Sequence, residues 1–396
     1  LPQKVDPEAL EVEALARAGY RTAAVIASNP YLSGYYRYDA GFDVFDDFYA
    51  TGLDGRSVRD ARASVRLVKR LASAATVARL RRAKARLNYL RECMGGANPA
   101  LHESSRGEEV TRRALSLIDE LEPAGPFFLW LHYMDLHGYF YATQEDRRTV
   151  MDARGPAAEI AMRWRRYRYV DRWTSHVVRS QERPPDEPVP HTDVDRKTLT
   201  GFYDAAMLYA DRSLGPLLDW IVASGSTVVF VTADHGEEFY DHGKIGHAPV
   251  NLYDEVARVP LLVFGPGLGS GEISGWISHS SIPVSILEAA GVDADLPTAP
   301  SLLSGVPGPA PVFTETLYGL KAPFPRKRFD EHGLLLSCRQ GRHKYVWREP
   351  DGSEHLFDII ADPDETRNMI GDPRVDAEEK ALRDAVRRRA GEIRVR

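Results

Sequence analysis

The chain has 396 residues, of which 43% are hydrophobic and 27% are charged, and its formal net charge is −6. This length suits one large domain with an appendage, or two domains, and the mild charge does not indicate nucleic acid as a partner. No run approaches the roughly 20 apolar residues of a membrane span, so no transmembrane segment is expected in this chain.

The N-terminal segment predicts a helix followed by a strand. Asp6 is suited to cap the helix, Pro7 to occupy its first turn, and Gly19 to end it. The apolar run at 21–28 then predicts a buried strand. Residues 41–48, GFDVFDDF, are expected to form a loop that packs its phenylalanines inward.

Two basic segments interrupt this pattern. Residues 56–91 predict a long helical stretch with many arginines, and residues 163–173 read RWRRYRYVDRW. Solvated helix faces are the simpler interpretation, and recruitment of an anionic substrate or an acidic partner is the alternative. The first run has no interleaved glycines or aromatic platforms, which argues against nucleic-acid binding.

Helices alternate with continuous apolar strands through the rest of the first three quarters of the chain. This alternation predicts an α/β fold with a mostly parallel sheet covered by helices on both faces, which we assign to residues 1–306. The predicted elements are a helix at 107–125, a strand at 126–138, one or two helices at 194–225, strands at 227–232 and 258–267, and a helix at 281–291.

The pattern changes from about Pro307. Short strands around GLLLSCRQ, HKYVWRE and EHLFDI follow one another closely, and a charged helix is predicted from about Asp376. We therefore expect residues 307–396 to form a small α+β subdomain with an antiparallel sheet and a terminal helix.

Polar residues follow two of the predicted strands. The strand at 227–232 ends just before Asp234 and His235, and FFLWLH leads into the YMDLH segment that contains His137. In open α/β sheets, ligands bind beyond the carboxyl ends of the strands. Asp234 and His235 can serve one site if the chain leaves strand geometry there, which Gly236 favours. A divalent metal suits this pair, although a turn-capping Asp with a supporting His is the simpler alternative.

Four segments together resemble the sulfatase family of the alkaline phosphatase superfamily. They are LARAGYRTAAVIASNPYLS with GFDVFDDF, then PFFLWLHYMDLHGYF, then TADHGEEFYDHG with GHAPVNLYDE and RVPLLVFGPG, and finally HKYVWREPDGSEHLFDIIADPDETRNM. The resemblance covers nearly the whole chain in order. It implies an alkaline phosphatase-like fold and an enzyme that hydrolyses sulfate monoesters of small molecules or glycans.

The resemblance also implies a metal and its ligands. Asp234 would bind one divalent ion, and His235 would lie at the same ion or bond to the sulfate. Calcium is the ion that the family implies, and its ligands are oxygens. An imidazole ligand fits zinc or manganese better, so these ions remain alternatives.

Substrate contacts are implied for three further residues. His137 would contact the sulfate oxygens, and His247 would balance charge or protonate the leaving oxygen. Lys244 is a second candidate for the role of His247, and His242 a weaker one. Lys244 and His242 are also readily explained as loop residues without substrate contact.

The family's nucleophile motif is not found in this chain. In sulfatases, a Cys or Ser in a Cys-x-Pro/Ala-x-Arg context is oxidised to a formylglycine. The contexts of Cys93 and Cys338 do not fit this pattern. We expect the chain to be a fragment that begins after this motif and is inactive alone. Natural loss of the motif is the alternative.

Two other functions remain open. A phosphoryl-transfer enzyme or phosphoester hydrolase of the same superfamily shares the Asp-His-Gly-Glu sequence. A non-catalytic sulfatase-like protein would bind a sulfated ligand through His137, His247 and the arginine-rich helices. Residues 140–200 are expected to form the lid that sets substrate specificity.

Overall fold

The structure is a computed structural model. It describes residues 11–29, 32–34, 37–48, 106–137, 139, 142–151, 191–247, 252–293, 300–304, 310–317 and 333–395. These residues fall into two compact units, the first between 11 and 224 and the second from 225 onward. Outside the described residues lie Asp6, Pro7, Cys93, both basic segments and most of the predicted lid.

The first unit contains a parallel sheet with helices. Its elements are α1 (Glu11–Arg17), β1 (Arg21–Ile26), β2 (Val44–Asp46), α2 (Gly107–Leu121), β3 (Phe127–His132), α3 (Gln144–Val150) and α4 (Asp193–Ser224). The strand order is β2-β1-β3, and both pairs are parallel. Val110 and Leu117 of α2 pack in one buried cluster with Ala23 and Val25 of β1. The predicted parallel sheet with covering helices is confirmed.

The prediction of a loop over residues 41–48 is wrong at its centre. Val44–Asp46 form β2, and Phe45 pairs with Ala24. The backbone N–H and side-chain hydroxyl of Thr22 donate to the Asp43 carboxylate at 3.0 Å and to the Gly41 carbonyl at 2.8 Å. A strand of three residues is too short to show the period-two alternation by which a strand is recognised.

Asp135 fixes the segment that follows β3 to the start of α2. Its buried carboxylate accepts a hydrogen bond from the Gly107 backbone N–H at 3.0 Å. A negative charge there complements the helix dipole. Burial nevertheless raises the pKa of Asp135. The contact positions the backbone just before His137.

The second unit combines short strands around a long loop with a C-terminal sheet. Its elements are β4 (Val229–Thr232), β5 (Glu238–Phe239), β6 (Ile245–Gly246), α5 (Asp254–Ala257), β7 (Leu261–Phe264), α6 (Ser281–Ala289), β8 (Val312–Leu317), β9 (Leu334–Gln340), β10 (His343–Arg348), β11 (Glu354–Asp358) and α7 (Asp376–Val395). β7 pairs antiparallel with β4, unlike the strands of the first unit. Residues 233–260 connect the two strands, and the one helix described in that connection, α5, has only four residues, whereas parallel strands are usually joined through a longer helix.

The C-terminal sheet has the strand order β11-β10-β9-β8, and every pair is antiparallel. Helix α7 covers it, and Leu336, Cys338, Leu356 and Val386 are fully buried in one cluster. The expected antiparallel sheet and terminal helix are therefore present, while the boundary at residue 306 stays a prediction. Burial raises the pKa of the Cys338 thiol to about 12, which suits a packing role.

Among the helices that the structure describes, not one has the length and apolar character needed to cross a bilayer.

Candidate active site

The candidate site is built on the turn that follows β4. The strand ends at Thr232, so the chain has left strand geometry before Asp234, as the sequence predicts. The Gly236 N–H donates to the Val256 carbonyl of α5 at 2.8 Å. A Cβ at position 236 would lie 2.1 Å from the Glu255 carbonyl oxygen, far inside contact distance. Only glycine therefore fits between the turn and α5.

Asp234 and His235 lie side by side at this turn. The Asp234 Oδ1 accepts the His235 backbone N–H at 3.0 Å, and its Oδ2 lies 3.6 Å from His235 Nε2. His235 Nδ1 is 2.8 Å from the Gly236 carbonyl oxygen, which can only accept, so Nδ1 carries the proton. This tautomer leaves the Nε2 lone pair for a metal ion, as in many metal-binding histidines.

Glu237 and His247 extend the site beyond the predicted pair. His247 directly follows β6, and its Nδ1 lies 2.7 Å from Glu237 Oε2. The Glu237 side chain is only 5% exposed, and its buried Oε1 has no hydrogen-bond partner among the residues that the structure describes. The His235 and His247 rings stack at 4.2 Å.

These residues form a group with the chemistry of a metal site. One ligand atom from each of His235, Glu237 and His247 lies within 4.8 Å of the other two. A divalent ion would bind this Glu237 oxygen, which has no partner within the described part of the chain and is otherwise costly to bury. Two imidazoles and a carboxylate fit zinc or manganese, whereas calcium prefers oxygen ligands. The donors present therefore fit a divalent cation.

Sequence reasoning missed Glu237. In the sequence, the only indication was that Glu237 follows His235 by two residues in Asp-His-Gly-Glu. It cannot be distinguished there from the other acidic residues of the segment, because only the structure shows its burial. Asp234 is not in the three-residue group, and its side chain is 71% exposed. Its assignment as a metal ligand stays a prediction.

Lys244 and His242 lie in the connection between β5 and β6. Lys244 is buried at 2% exposure, and its backbone N–H donates to Glu238 Oε1 at 2.7 Å. Burial raises the pKa of Glu238 to about 7. Glu238 also accepts the backbone N–H of His242, so its carboxylate bridges two backbone N–H groups of the β5–β6 connection. The role of Lys244 as the leaving group's partner stays a prediction.

His242 is engaged away from the three-donor group. Its Nδ1 lies 2.7 Å from Glu255 Oε1, and its ring stacks on Tyr253 at 3.5 Å. Burial alone would lower the pKa of His242, but the hydrogen bond and charge of Glu255 raise it overall. The structure thus favours the interpretation of His242 as a loop residue.

His137 belongs to the first unit. It is exposed, two residues beyond Asp135, and its backbone N–H donates to the Met134 carbonyl at 3.1 Å. Its predicted participation with His247 in sulfate binding stays a prediction.

Comparisons with known proteins identify the family and the fold. A profile of the sulfatase family matches residues 6–292. The choline-sulfatase of Rhizobium meliloti (strain 1021) is 25% identical over 299 residues, which cover 72% of this chain and 52% of that protein. This chain therefore spans about half the length of that relative.

Solved structures establish the fold. A protein solved with its substrate D-glucosamine-2-N,6-O-disulfate gives a TM-score of 0.60 at 15% identity, over 97% of this chain and 83% of that one. The phosphonate monoester hydrolase of Agrobacterium radiobacter gives 0.59 at 16% identity, over 96% of this chain and 80% of that one. Both superpositions extend over nearly the whole chain, so the alkaline phosphatase-like fold includes the C-terminal sheet.

Proposed function

This chain belongs to the sulfatase family, and on that premise we propose that the protein hydrolyses sulfate monoesters with the help of one divalent cation. The single observation that carries the proposal is the group of His235, Glu237 and His247 beside Asp234, at the turn where the family resemblance places the metal. The nucleophile would be a formylglycine, whose precursor Cys or Ser is not identified in these 396 residues.

The cation would be held by Asp234 and His235, and one Glu237 carboxylate oxygen lies within 4.8 Å of a His235 ring nitrogen. When bound, it supplies positive charge that polarises a sulfuryl oxygen. The resemblance favours calcium, whereas the two imidazoles of the group favour zinc or manganese. Measuring the metal content of the purified protein decides between these ions.

His247 is the proposed proton donor to the leaving oxygen, or the charge that balances it. Glu237 accepts from its Nδ1 at 2.7 Å and so fixes the ring, which orients Nε2 for contact with substrate. Lys244 is the second candidate for this contact. His137 is proposed to bind the sulfate oxygens.

We propose a small-molecule or glycan sulfate as the substrate class. The name of the choline-sulfatase supports a small molecule, and the disulfated glucosamine bound by the structural neighbour supports a glycan. A panel of choline sulfate, 4-nitrophenyl sulfate and sulfated glucosamines separates the two classes by their kcat/KM values.

A second candidate function is hydrolysis of phosphate or phosphonate esters, favoured by the fold of the phosphonate monoester hydrolase and by the shared Asp-His-Gly-Glu sequence. Paired 4-nitrophenyl sulfate and 4-nitrophenyl phosphate carry the same leaving group, so their kcat/KM ratio reports the preference for sulfur or phosphorus. Faster phosphate turnover with two zinc ions per chain would reverse our choice.

The test of the site is Asp234→Ala in the natural protein. We expect hydrolysis of 4-nitrophenyl sulfate to be lost while the circular dichroism spectrum is unchanged. If the variant still hydrolyses the ester, the Asp234 side chain is not part of the site. Binding of the sulfate ester without any turnover, in a protein with its nucleophile motif intact, would favour the non-catalytic binding function.

A further inference from the structure

A buried network of charges connects the C-terminal sheet to the loop that carries the candidate site. Lys344 on β10 is 3% exposed, and its Nζ lies 2.8 Å from Asp254 Oδ1 and 2.7 Å from Glu365 Oε1. Arg339 on β9 pairs with the other Asp254 oxygen at 2.7 Å. Two cations thus face two carboxylates, of which Glu365 is 1% exposed.

The network holds the first residue of α5. Asp254 begins this helix, and both of its carboxylate oxygens are bound by the C-terminal strands. Its backbone N–H donates to Glu365 Oε2 at 2.6 Å. A helix of four residues is not stable alone, so its position depends on tertiary contacts such as these.

Helix α5 in turn holds the site. Its Val256 carbonyl accepts the Gly236 N–H at 2.8 Å, and Gly236 lies between His235 and Glu237. Glu255 of the same helix holds His242 at 2.7 Å. The absence of a side chain at Gly236 lets the Glu255 backbone approach to a distance that no Cβ would allow.

From these contacts we propose that Lys344 is a positioning residue for the turn at 234–237, acting through Asp254 and α5. Lys344 fixes Asp254, Asp254 fixes α5, and the α5 carbonyl fixes Gly236, so the spacing of His235 and Glu237 depends on a lysine of the C-terminal sheet. The consequence for cation binding rests on the function proposed above, whereas the consequence for the geometry of the turn does not.

The alternative is that Lys344 only stabilises the C-terminal sheet. Arg383, on helix α7, provides the matched control, because it also pairs with two carboxylates and one of them belongs to the same sheet. Its guanidinium lies 2.7 Å from Glu354 on β11 and 2.6 Å from Glu379 on α7, and neither carboxylate belongs to α5. A general loss of stability would follow from either variant, but only Lys344 is connected to the turn.

The experiment compares Lys344→Met with Arg383→Met in the full chain. Amide hydrogen exchange of Gly236 is followed by NMR, and binding of Zn²⁺ and of Ca²⁺ by calorimetry, well below the unfolding temperature of each variant. We expect Lys344→Met to speed Gly236 exchange and weaken cation binding, each by about tenfold or more. Arg383→Met should change both by less than about twofold.

A second variant covers the case in which Lys344→Met does not fold, since it leaves the buried Glu365 unpaired. Lys344→Met with Glu365→Gln removes both charges and keeps an acceptor for the Asp254 N–H, and the same changes are expected. The proposal would be overturned if Gly236 exchanged at the same rate in these variants as in the unmodified chain. It would also be overturned if Arg383→Met increased the exchange rate of Gly236 as much as Lys344→Met does. If the unmodified chain binds neither cation, the metal part of the proposed function fails, and Gly236 exchange alone decides the role of Lys344.

Discussion

Replacing Gly236 by alanine tests how tightly α5 is packed on the turn at 234–237. The new Cβ would lie 2.1 Å from the Glu255 carbonyl oxygen and 3.0 Å from its carbon, both backbone atoms that cannot rotate away. Ordinary contact begins near 3.4 Å, so the turn or α5 must move by about 1.3 Å.

This displacement sets the expected magnitude. Overpacking of a rigid contact costs about 1–3 kcal/mol. Separation of the turn from α5 also breaks the hydrogen bond from Gly236 to Val256, which adds about 1 kcal/mol. We expect Gly236→Ala to lower the free energy of unfolding by about 2–4 kcal/mol and to weaken cation binding.

Urea unfolding followed by tryptophan fluorescence measures the first effect, and calorimetric titration with Zn²⁺ the second. Gly269→Ala is the matched control, because Gly269 is exposed and a Cβ there meets no atom within 4 Å. If the two alanine variants differ by less than about 0.5 kcal/mol, the close packing of α5 on the turn is refuted.

Three further predictions concern buried carboxylates. Glu237→Gln should weaken Zn²⁺ binding by about tenfold or more because it removes a buried anion, whereas the exposed control Glu272→Gln should not. Equal affinities of the two variants in calorimetry would count against a role for Glu237. The raised pKa of Glu238, about 7, means that the free energy of unfolding of the metal-free chain falls as the pH rises from about 4.3 towards 7. Glu238→Gln should reduce this fall in the free energy of unfolding by on the order of 3 kcal/mol. Urea titrations at several pH values measure it, and the same pH dependence in both proteins would contradict the prediction. Burial raises the pKa of Asp135, so its ionisation lowers the free energy of unfolding as the pH rises above about 4, and Asp135→Asn should remove this contribution. Parallel pH profiles of the two proteins in urea titrations would contradict this prediction.

Much of the fold follows from local pattern. The continuous apolar runs that became β1 and β3 are long enough to be recognised as buried strands, and the glycine and polar residues after β4 mark the end of that strand. Strand β2 could not be recognised, because it is three residues long and its character depends on pairing with β1. The antiparallel pairing of β7 with β4 could not be predicted either, because an apolar run does not show the direction of the strand it pairs with.

The site was only partly predictable for a similar reason. Asp234, His235 and His247 stand out because imidazoles and carboxylates after a strand are unusual. Glu237 does not stand out, because its importance comes from burial and from its contact with His247, ten residues away. Lys344 lies 90 residues from Asp254 in sequence, so no local pattern reveals their pairing.

We propose above that the turn at 234–237 holds a divalent cation. The most direct measurement is the number of Zn²⁺ or Ca²⁺ ions bound per chain at equilibrium, in the unmodified chain and in the double variant Asp234→Ala with His235→Ala. We expect one bound ion in the former and none in the latter, with the circular dichroism spectrum unchanged. A double variant that still binds one ion with the original affinity would contradict it.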